Sequence, residues 1–156
     1  MTIEITQNKI QITQLSLIEA TGPDSADFLH AQFTGDCKSL AENQMMITGW
    51  CSPKGRVLYL IRIVKNKSKL LLLVPTDQKN DLLKRLTMFV FRSKVTFIDC
   101  SESHSIIAYH GESSIDSTYP NDTIKTKFTD DQHWVITPKY NQKAIWDSLS
   151  METATP

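Results

Sequence analysis

Apolar and polar positions change period several times along the chain, and each change marks an element. Ile10, Ile12, Leu15, Leu17 and Ile18 are apolar among polar neighbours, which predicts one or two short strands over residues 10–20. Thr21-Gly22-Pro23-Asp24 breaks that pattern. Pro23 suits a first helical turn, where its missing N–H costs nothing, and Asp24 and Asp27 suit the positive end of a helix. Ala26, Leu29 and Phe33 then recur at three and four residues, as one helix face. Met45–Cys51 reads as a strand, Ser52-Pro53-Lys54-Gly55 as a turn, and Arg56–Val64 as a strand. In that strand Val57, Tyr59, Ile61 and Ile63 share one side, with Leu58, Leu60 and Val64 on the other. Apolar groups on both sides predict burial from both, interrupted by Arg62.

Asn66-Lys67-Ser68 turns the chain into a strand over Lys69–Val74, giving an antiparallel hairpin. Thr76-Asp77 reads as the N-cap of a helix whose buried stripe is Leu82, Leu83, Leu86, Phe89 and Val90, ending near Arg92. Strands follow over Val95–Ile98 and Ser105–Tyr109. Glu112–Asp122 is a polar loop, the best candidate for mobility. Ile124–Phe128 and His133–Ile136 read as weaker strands, and Thr137-Pro138 opens a last helix carrying Asn141, Ile145 and Leu149 on one side. Two helices set between antiparallel strands predict an α+β fold: an antiparallel sheet with helices on one side, of ferredoxin-like type.

The chain has 156 residues, enough for one domain or one domain with a small appendage. Its 17 basic residues balance 17 acidic ones, so no global field draws it to nucleic acid or an anionic membrane. Two local basic groups stand out: Lys65, Lys67 and Lys69, then Lys84, Arg85, Arg92 and Lys94. A solvated face is the first reading of both, and a phosphate or RNA contact surface is the second. Cys37, Cys51 and Cys100 are odd in number and widely spaced. They read as reduced, packed thiols rather than a disulfide framework or a zinc site. The N-terminal residues lack the pattern of a signal peptide, and the longest apolar run, Leu70–Val74, is too short to span a bilayer. A cytoplasmic protein is expected.

Three ordered pieces carry a family resemblance. They are Gly22-x-Asp24-x-x-x-Phe28-Leu29-x-x-Gln32-x-Thr34-x-Asp36, Cys51-x-x-Lys54-Gly55-Arg56, and Phe91-x-Ser93-Lys94-Val95-Thr96. Trp134-Val135-Ile136-Thr137 before a helix fits the next segment. Each piece alone is weak; their order and spacing are specific. Together they resemble the N-terminal part of the YgfZ-type folate-binding proteins, relatives of the glycine-cleavage T protein. The resemblance implies a tetrahydrofolate-binding accessory protein that supports iron–sulfur enzymes, including those that modify tRNA. It makes residues 1–156 a single N-terminal folate-binding-type domain, with 119–156 as the possible start of a following subdomain and the C-terminal part of the family missing.

The same resemblance marks what is lacking. The family's Lys-Gly-Cys-Tyr-Thr-Gly-Gln signature does not occur, so none of the three cysteines inherits its role. A tryptophan that contacts folate on the first strand is replaced by Leu15. The T protein holds folate through an aspartate on the strand after the Gly-rich turn, and Leu58 or Tyr59 stands there in this chain. Neither side chain can act as a carboxylate base. A T-protein-like aminomethyltransferase, or another folate-dependent C1-transfer enzyme, is therefore the alternative function rather than the first.

The candidate cofactor-binding residues are Asp36, Lys54, Arg56, Tyr59 and Arg62. Asp36 could orient a pterin or cap a turn. Lys54 and Arg56 could hold a folate glutamate tail through charge-assisted hydrogen bonds, or be simply solvated. Arg62, in an apolar strand, requires either a partner carboxylate or a face open to solvent or ligand, because an unpaired buried charge is costly. His30, His104, His110 and His133 share no motif. Trp50, Trp134 and Trp146 read first as core residues. No catalytic residue and no metal ligand is predicted.

Overall fold

The computed structural model describes residues 9–111 and 122–149. The loop expected over 112–122 lies outside them except for Asp122. These residues form two compact units, one of residues 14–102 and one of 9–13 with 103–111 and 122–149. Strand β1 (Lys9–Ile12) belongs to the second unit. The first runs β2 (Leu15–Thr21), α1 (Ser25–Gln32), β3 (Met45–Cys51), β4 (Val57–Asn66), β5 (Lys69–Pro75), α2 (Lys79–Phe89) and β6 (Thr96–Asp99).

Its five strands lie in the order β3-β4-β5-β2-β6, and every neighbouring pair is antiparallel. Leaving out β3, the order β4-β5-β2-β6 is the split βαβ arrangement of a ferredoxin-like sheet. β3 adds a fifth strand on the β4 edge. The α+β, ferredoxin-like expectation holds for this unit.

Both helices cover the same sheet face. Phe28 and Leu29 of α1, and Leu82 and Leu86 of α2, join one buried cluster with Ile18, Ala20, Ile61, Ile63, Leu70, Leu72 and Val74. Strand register puts these sheet residues together, since Ile18 pairs with Leu72, Ala20 with Leu70, and Ile63 with Leu72. Each fully buried leucine or isoleucine stabilises the unit by about 1.5–3 kcal/mol.

Local capping departs from the sequence expectation. Asp24 sits at the N-cap of α1, but its carboxylate makes no cap bond. It accepts instead from the backbone N–H of Lys94, at 2.7 Å. The second helix begins at Lys79, after a 3-10 turn over Thr76–Gln78. Thr76 does not cap it; its hydroxyl accepts from Ser16 at 3.0 Å. That helix ends at Phe89 rather than near Arg92. Residues 90–95 must turn back to bring Lys94 to Asp24.

The other sheet face also departs. Burial on both sides of β4 was expected along its length. Tyr59, Ile61, Ile63 and Val64 are buried, but Leu58 and Leu60 are exposed. The second side of β4 is closed at the Val64 end and open at the Leu58 end.

In the other unit, β1, β7 (His104–His110), β8 (Ile124–Lys127) and β9 (Gln132–Pro138) form an antiparallel sheet in the order β1-β7-β9-β8. The last helix, α3 (Gln142–Ser148), places Ile145 against Ile107, Tyr109 and Val135, with Leu149 just beyond the helix. The expected weak strands and final helix are present, but they belong to this second sheet. Among the described residues, no helix is long and apolar enough to cross a membrane.

Candidate functional site

The residues that carry the family resemblance mostly hold the backbone together. Gly22 has φ 116, and a Cβ there would lie 2.2 Å from the carbonyl oxygen of Lys94. Only glycine lets the two chain segments approach so closely. Asp24 completes the clasp: its N–H donates to that same oxygen at 3.2 Å, and its carboxylate accepts from the Lys94 N–H. The first and third motif pieces are thus joined across seventy residues of chain.

Thr34 and Thr48 form a second clasp. The Gly35 N–H donates to Thr48 Oγ1 at 2.8 Å, and the Gly49 N–H donates to Thr34 Oγ1 at 3.1 Å. The Thr34 N–H donates to the Gly49 carbonyl at 2.9 Å. This sews the exit of α1 onto edge strand β3. Asp36 then caps the following turn, accepting from the N–H groups of Lys38 and Ser39 and from the Ser39 hydroxyl. Those bonds, led by the Ser39 hydroxyl, hold its carboxyl below the usual carboxylate range. His30 Nδ1 lies 3.3 Å from Asp36 Oδ1.

Lys54 and Arg56 sit on the exposed turn before β4. The turn is closed by Gly55 N–H to Ser52 O and by Ser52 N–H to Arg56 O, each 2.8 Å, with Gly55 at φ 83. Tyr59 lies on the helix-covered side and is only 6% exposed. Its hydroxyl donates to Asp81 of α2, and burial pushes its pKa up. Trp50 packs beside it at 5.9 Å between ring centroids, with Phe33 at 6.0 Å and Phe89 at 5.7 Å.

Arg62 lies on the opposite side. Leu17, Leu73, Arg62 and Ile47 form one row across four strands. Two residues along, Leu15 pairs with Pro75 and Leu60 pairs with Gly49. Leu60 is 57% exposed and Ile47 46%, Leu58 is exposed, and Arg62 and Leu15 are half-buried. This end of the face is an open apolar surface with a guanidinium at its margin and glycine at Gly49. Of the sequence candidates, Arg62 stands on this face, while Tyr59 faces the helices. Asp36 is occupied by its own turn.

Sequence reasoning missed Ile47 and Leu60, because an exposed apolar residue on a strand has the same period as a buried one. The sole hint was Arg62, a charge with no place in a two-sided core.

The thiols are placed as packed groups. Cys37 and Cys100 are buried, Cys51 is half-buried, and none of the three forms a disulfide. Burial pushes the Cys37 thiol up to about 11, so it is no nucleophile at neutral pH. Among the described residues, no three His, Cys, Asp or Glu side chains come together as metal ligands. In the smaller unit, Trp134 is buried and Trp146 is half-buried, with Lys9 Nζ 4.5 Å from the Trp146 ring centroid.

No family model matches the chain. Its sequence is 32% identical over 103 residues to the tRNA-modifying protein YgfZ of Colwellia psychrerythraea, covering 66% of this chain and 32% of that protein. It is 31% identical over 103 residues to the YgfZ of Hamiltonella defensa, covering 66% of this chain and 30% of that one. An uncharacterised Haemophilus influenzae protein matches at 36% over 89 residues, covering 56% of this chain and 32% of that protein. The matches thus span about a third of these relatives.

Among solved structures, the glycine cleavage system aminomethyltransferase T of Bartonella henselae superposes with a TM-score of 0.75 at 15% identity, over 90% of this chain and 44% of that one. The heterotetrameric sarcosine oxidase of Corynebacterium sp. U-96 superposes with a TM-score of 0.59 at 11% identity, over 94% of this chain and 87% of that one. These likenesses concern the fold alone. In sequence the chain resembles the YgfZ-type proteins over about a third of their length, and its fold is that of the glycine-cleavage T protein.

Proposed function

We propose that this chain is the N-terminal, folate-binding-type module of a YgfZ-like accessory protein. Its open apolar sheet face forms one wall of a tetrahydrofolate cavity. The observation that carries this reading is the exposure of Ile47, Leu58 and Leu60 on the face that no helix of their unit covers. A flat heterocycle gains most from such a surface, and Arg62 at its margin suits a carboxylate of the glutamate tail. Lys54 and Arg56, on the exposed turn that begins β4, would extend that contact. The opposite wall belongs to residues equivalent to the remaining length of the relatives, as pockets form where domains meet.

By the same resemblance, the client proteins are iron–sulfur or tRNA-modifying enzymes and the compartment is the cytoplasm. Aminomethyl transfer needs a carboxylate on the folate side. Leu58 and Leu60 supply none there, and the carboxylate nearest Tyr59, Asp81, bonds Tyr59 on the helix side. The accessory reading is therefore preferred to the enzymatic one.

A chimera tests this. The chain is joined to the remaining segment of the Colwellia protein, and isoleucine and leucine methyl signals are followed by NMR as tetrahydrofolate is added. Shifts at Ile47, Leu58 and Leu60 are expected, and Leu60→Asp should abolish them. Saturable binding that leaves those methyls unmoved, or moves Leu72 and Leu82 instead, would refute the proposed wall.

A further inference from the structure

A second recess lies on the helix-covered side of the sheet, at the end of β4 far from Lys54 and Arg56. The ten residues of β4 separate the two ends by about 30 Å. The recess has a volume of about 250 Å³ and opens between the start of α1 and the β4–β5 turn. Lys38, Lys65, Lys67 and Lys69 line it with Ser25 and Ala26, and no carboxylate is among its lining residues. Lys65 pairs with Leu70 in the sheet and stands in line with Ile61 and Ile63, so this recess does not share the open apolar face.

The four lysines are not equivalent. Lys38 is paired with Asp27 at 3.0 Å and Lys69 with Glu19 at 2.9 Å. Among the described residues, Lys65 and Lys67 have no carboxylate partner for their ammonium groups. Glu42 accepts from the Lys67 backbone N–H, at 2.7 Å.

Two further residues line the same space. Ser25 lines the recess and is only 4% exposed, yet its hydroxyl has no hydrogen-bond partner among the described residues. Its oxygen keeps some contact with solvent, so it is available to a group that enters the recess. Ala26 lies in the first turn of α1, where its N–H has no acceptor among the described residues because the Asp24 carboxylate is drawn away to Lys94. First-turn amides and the positive helix end favour an anion.

We propose that this recess binds the phosphate group of a small phosphate ester. Lys65 and Lys67 supply the charge, and the Ser25 hydroxyl and Ala26 N–H supply directed bonds. The size fits one phosphoryl group with part of its ester. The balanced net charge gives no overall attraction for a polymer.

The test is calorimetry of the full chain with inorganic phosphate, AMP and a tRNA as separate titrants. One saturable site for phosphate or AMP is expected. Tighter binding of AMP would show that the ester contributes; equal binding would show that the anion alone is held. Lys65→Gln/Lys67→Gln should weaken binding at least about tenfold, and Ser25→Ala by about threefold or more. Lys54→Gln/Arg56→Gln should leave it unchanged. The lysine variant alters only exposed or half-buried groups, so its folding, checked by circular dichroism, keeps the test sound if Ser25→Ala destabilises α1. Absence of saturable phosphate and AMP binding would overturn the proposal. So would binding unaffected by the lysine variant, or binding of tRNA alone. None of these results bears on folate.

Discussion

Gly22→Ala is the sharpest test of the clasp between the first and third motif pieces. The added Cβ would sit 2.2 Å from the Lys94 carbonyl oxygen and 3.2 Å from Val95 Cα. Both neighbours are backbone, so no side chain can swing away. Holding alanine at positive φ costs about 1–2 kcal/mol. Displacing Lys94 weakens two bonds, one neutral and one to the Asp24 carboxylate, worth together about 2–3 kcal/mol. The sum is about 3–5 kcal/mol, a large share of the ~5–15 kcal/mol of stability typical of a domain.

Gly55→Ala is the matched control. Gly55 also has positive φ, 83, but a Cβ there meets nothing within 4 Å. Its cost should be the conformational strain alone, about 1–2 kcal/mol. Urea denaturation of parent and variants reads the difference. With a slope of about 1–3 kcal/mol per molar urea, Gly22→Ala should lower the midpoint by about 1 M or more. Asp24→Ala should cost about 1–2 kcal/mol alone, and its effect should shrink in the Gly22→Ala background because both act on one contact. Equal losses for Gly22→Ala and Gly55→Ala, or a Gly22→Ala midpoint matching the parent, would refute the clasp.

Other outcomes separate the two sheet faces and the Tyr59–Asp81 contact. Leu72→Ala, at a fully buried position, should cost about 2–5 kcal/mol in the same denaturation assay, whereas Leu60→Gln should stay within about 0.5 kcal/mol of the parent. A large loss for Leu60→Gln would mean that the open face is core. The Tyr59 hydroxyl is the largest cause holding the Asp81 carboxyl below its ordinary value of 3.8. Tyr59→Phe should therefore raise the Asp81 pKa, read by carboxyl-carbon NMR. A depressed carboxyl contributes stability above its ordinary pKa and loses it as pH falls through the folded value, so Tyr59→Phe should flatten the fall in stability below about pH 4. An unchanged Asp81 titration would contradict the contact.

Much of the scaffold was legible because period and turn chemistry agree with burial. Lys69–Val74 read as a strand rich in apolar residues, and Leu70–Val74 are all buried. Leu82 and Leu86 marked the α2 stripe, and Gly55 marked the turn. What could not be read depends on contacts far apart in sequence. Asp24 looks like a cap by local rules, but Lys94 competes for its carboxylate. Thr76 likewise bonds Ser16. The division of the strands into two sheets is a register choice that no single strand encodes.

The site was half legible for the same reason. Arg62 was conspicuous as a charge among apolar residues. Leu60 was not, since its apolar character suits a core equally well. Tyr59, one residue away, faces the opposite side. Motif residues Asp24, Thr34 and Asp36 look chemical in sequence because they are polar and regularly spaced, yet their polar atoms go to backbone N–H groups.

The most direct measurement compares tetrahydrofolate binding to this chain alone and to the chimera by titration calorimetry. One wall encloses only part of the ligand, so its gain barely offsets the loss of ligand freedom. The expected result is weak or no heat for the chain alone and saturable binding once the other wall is supplied. Submicromolar binding to the chain alone would contradict the shared-cavity reading.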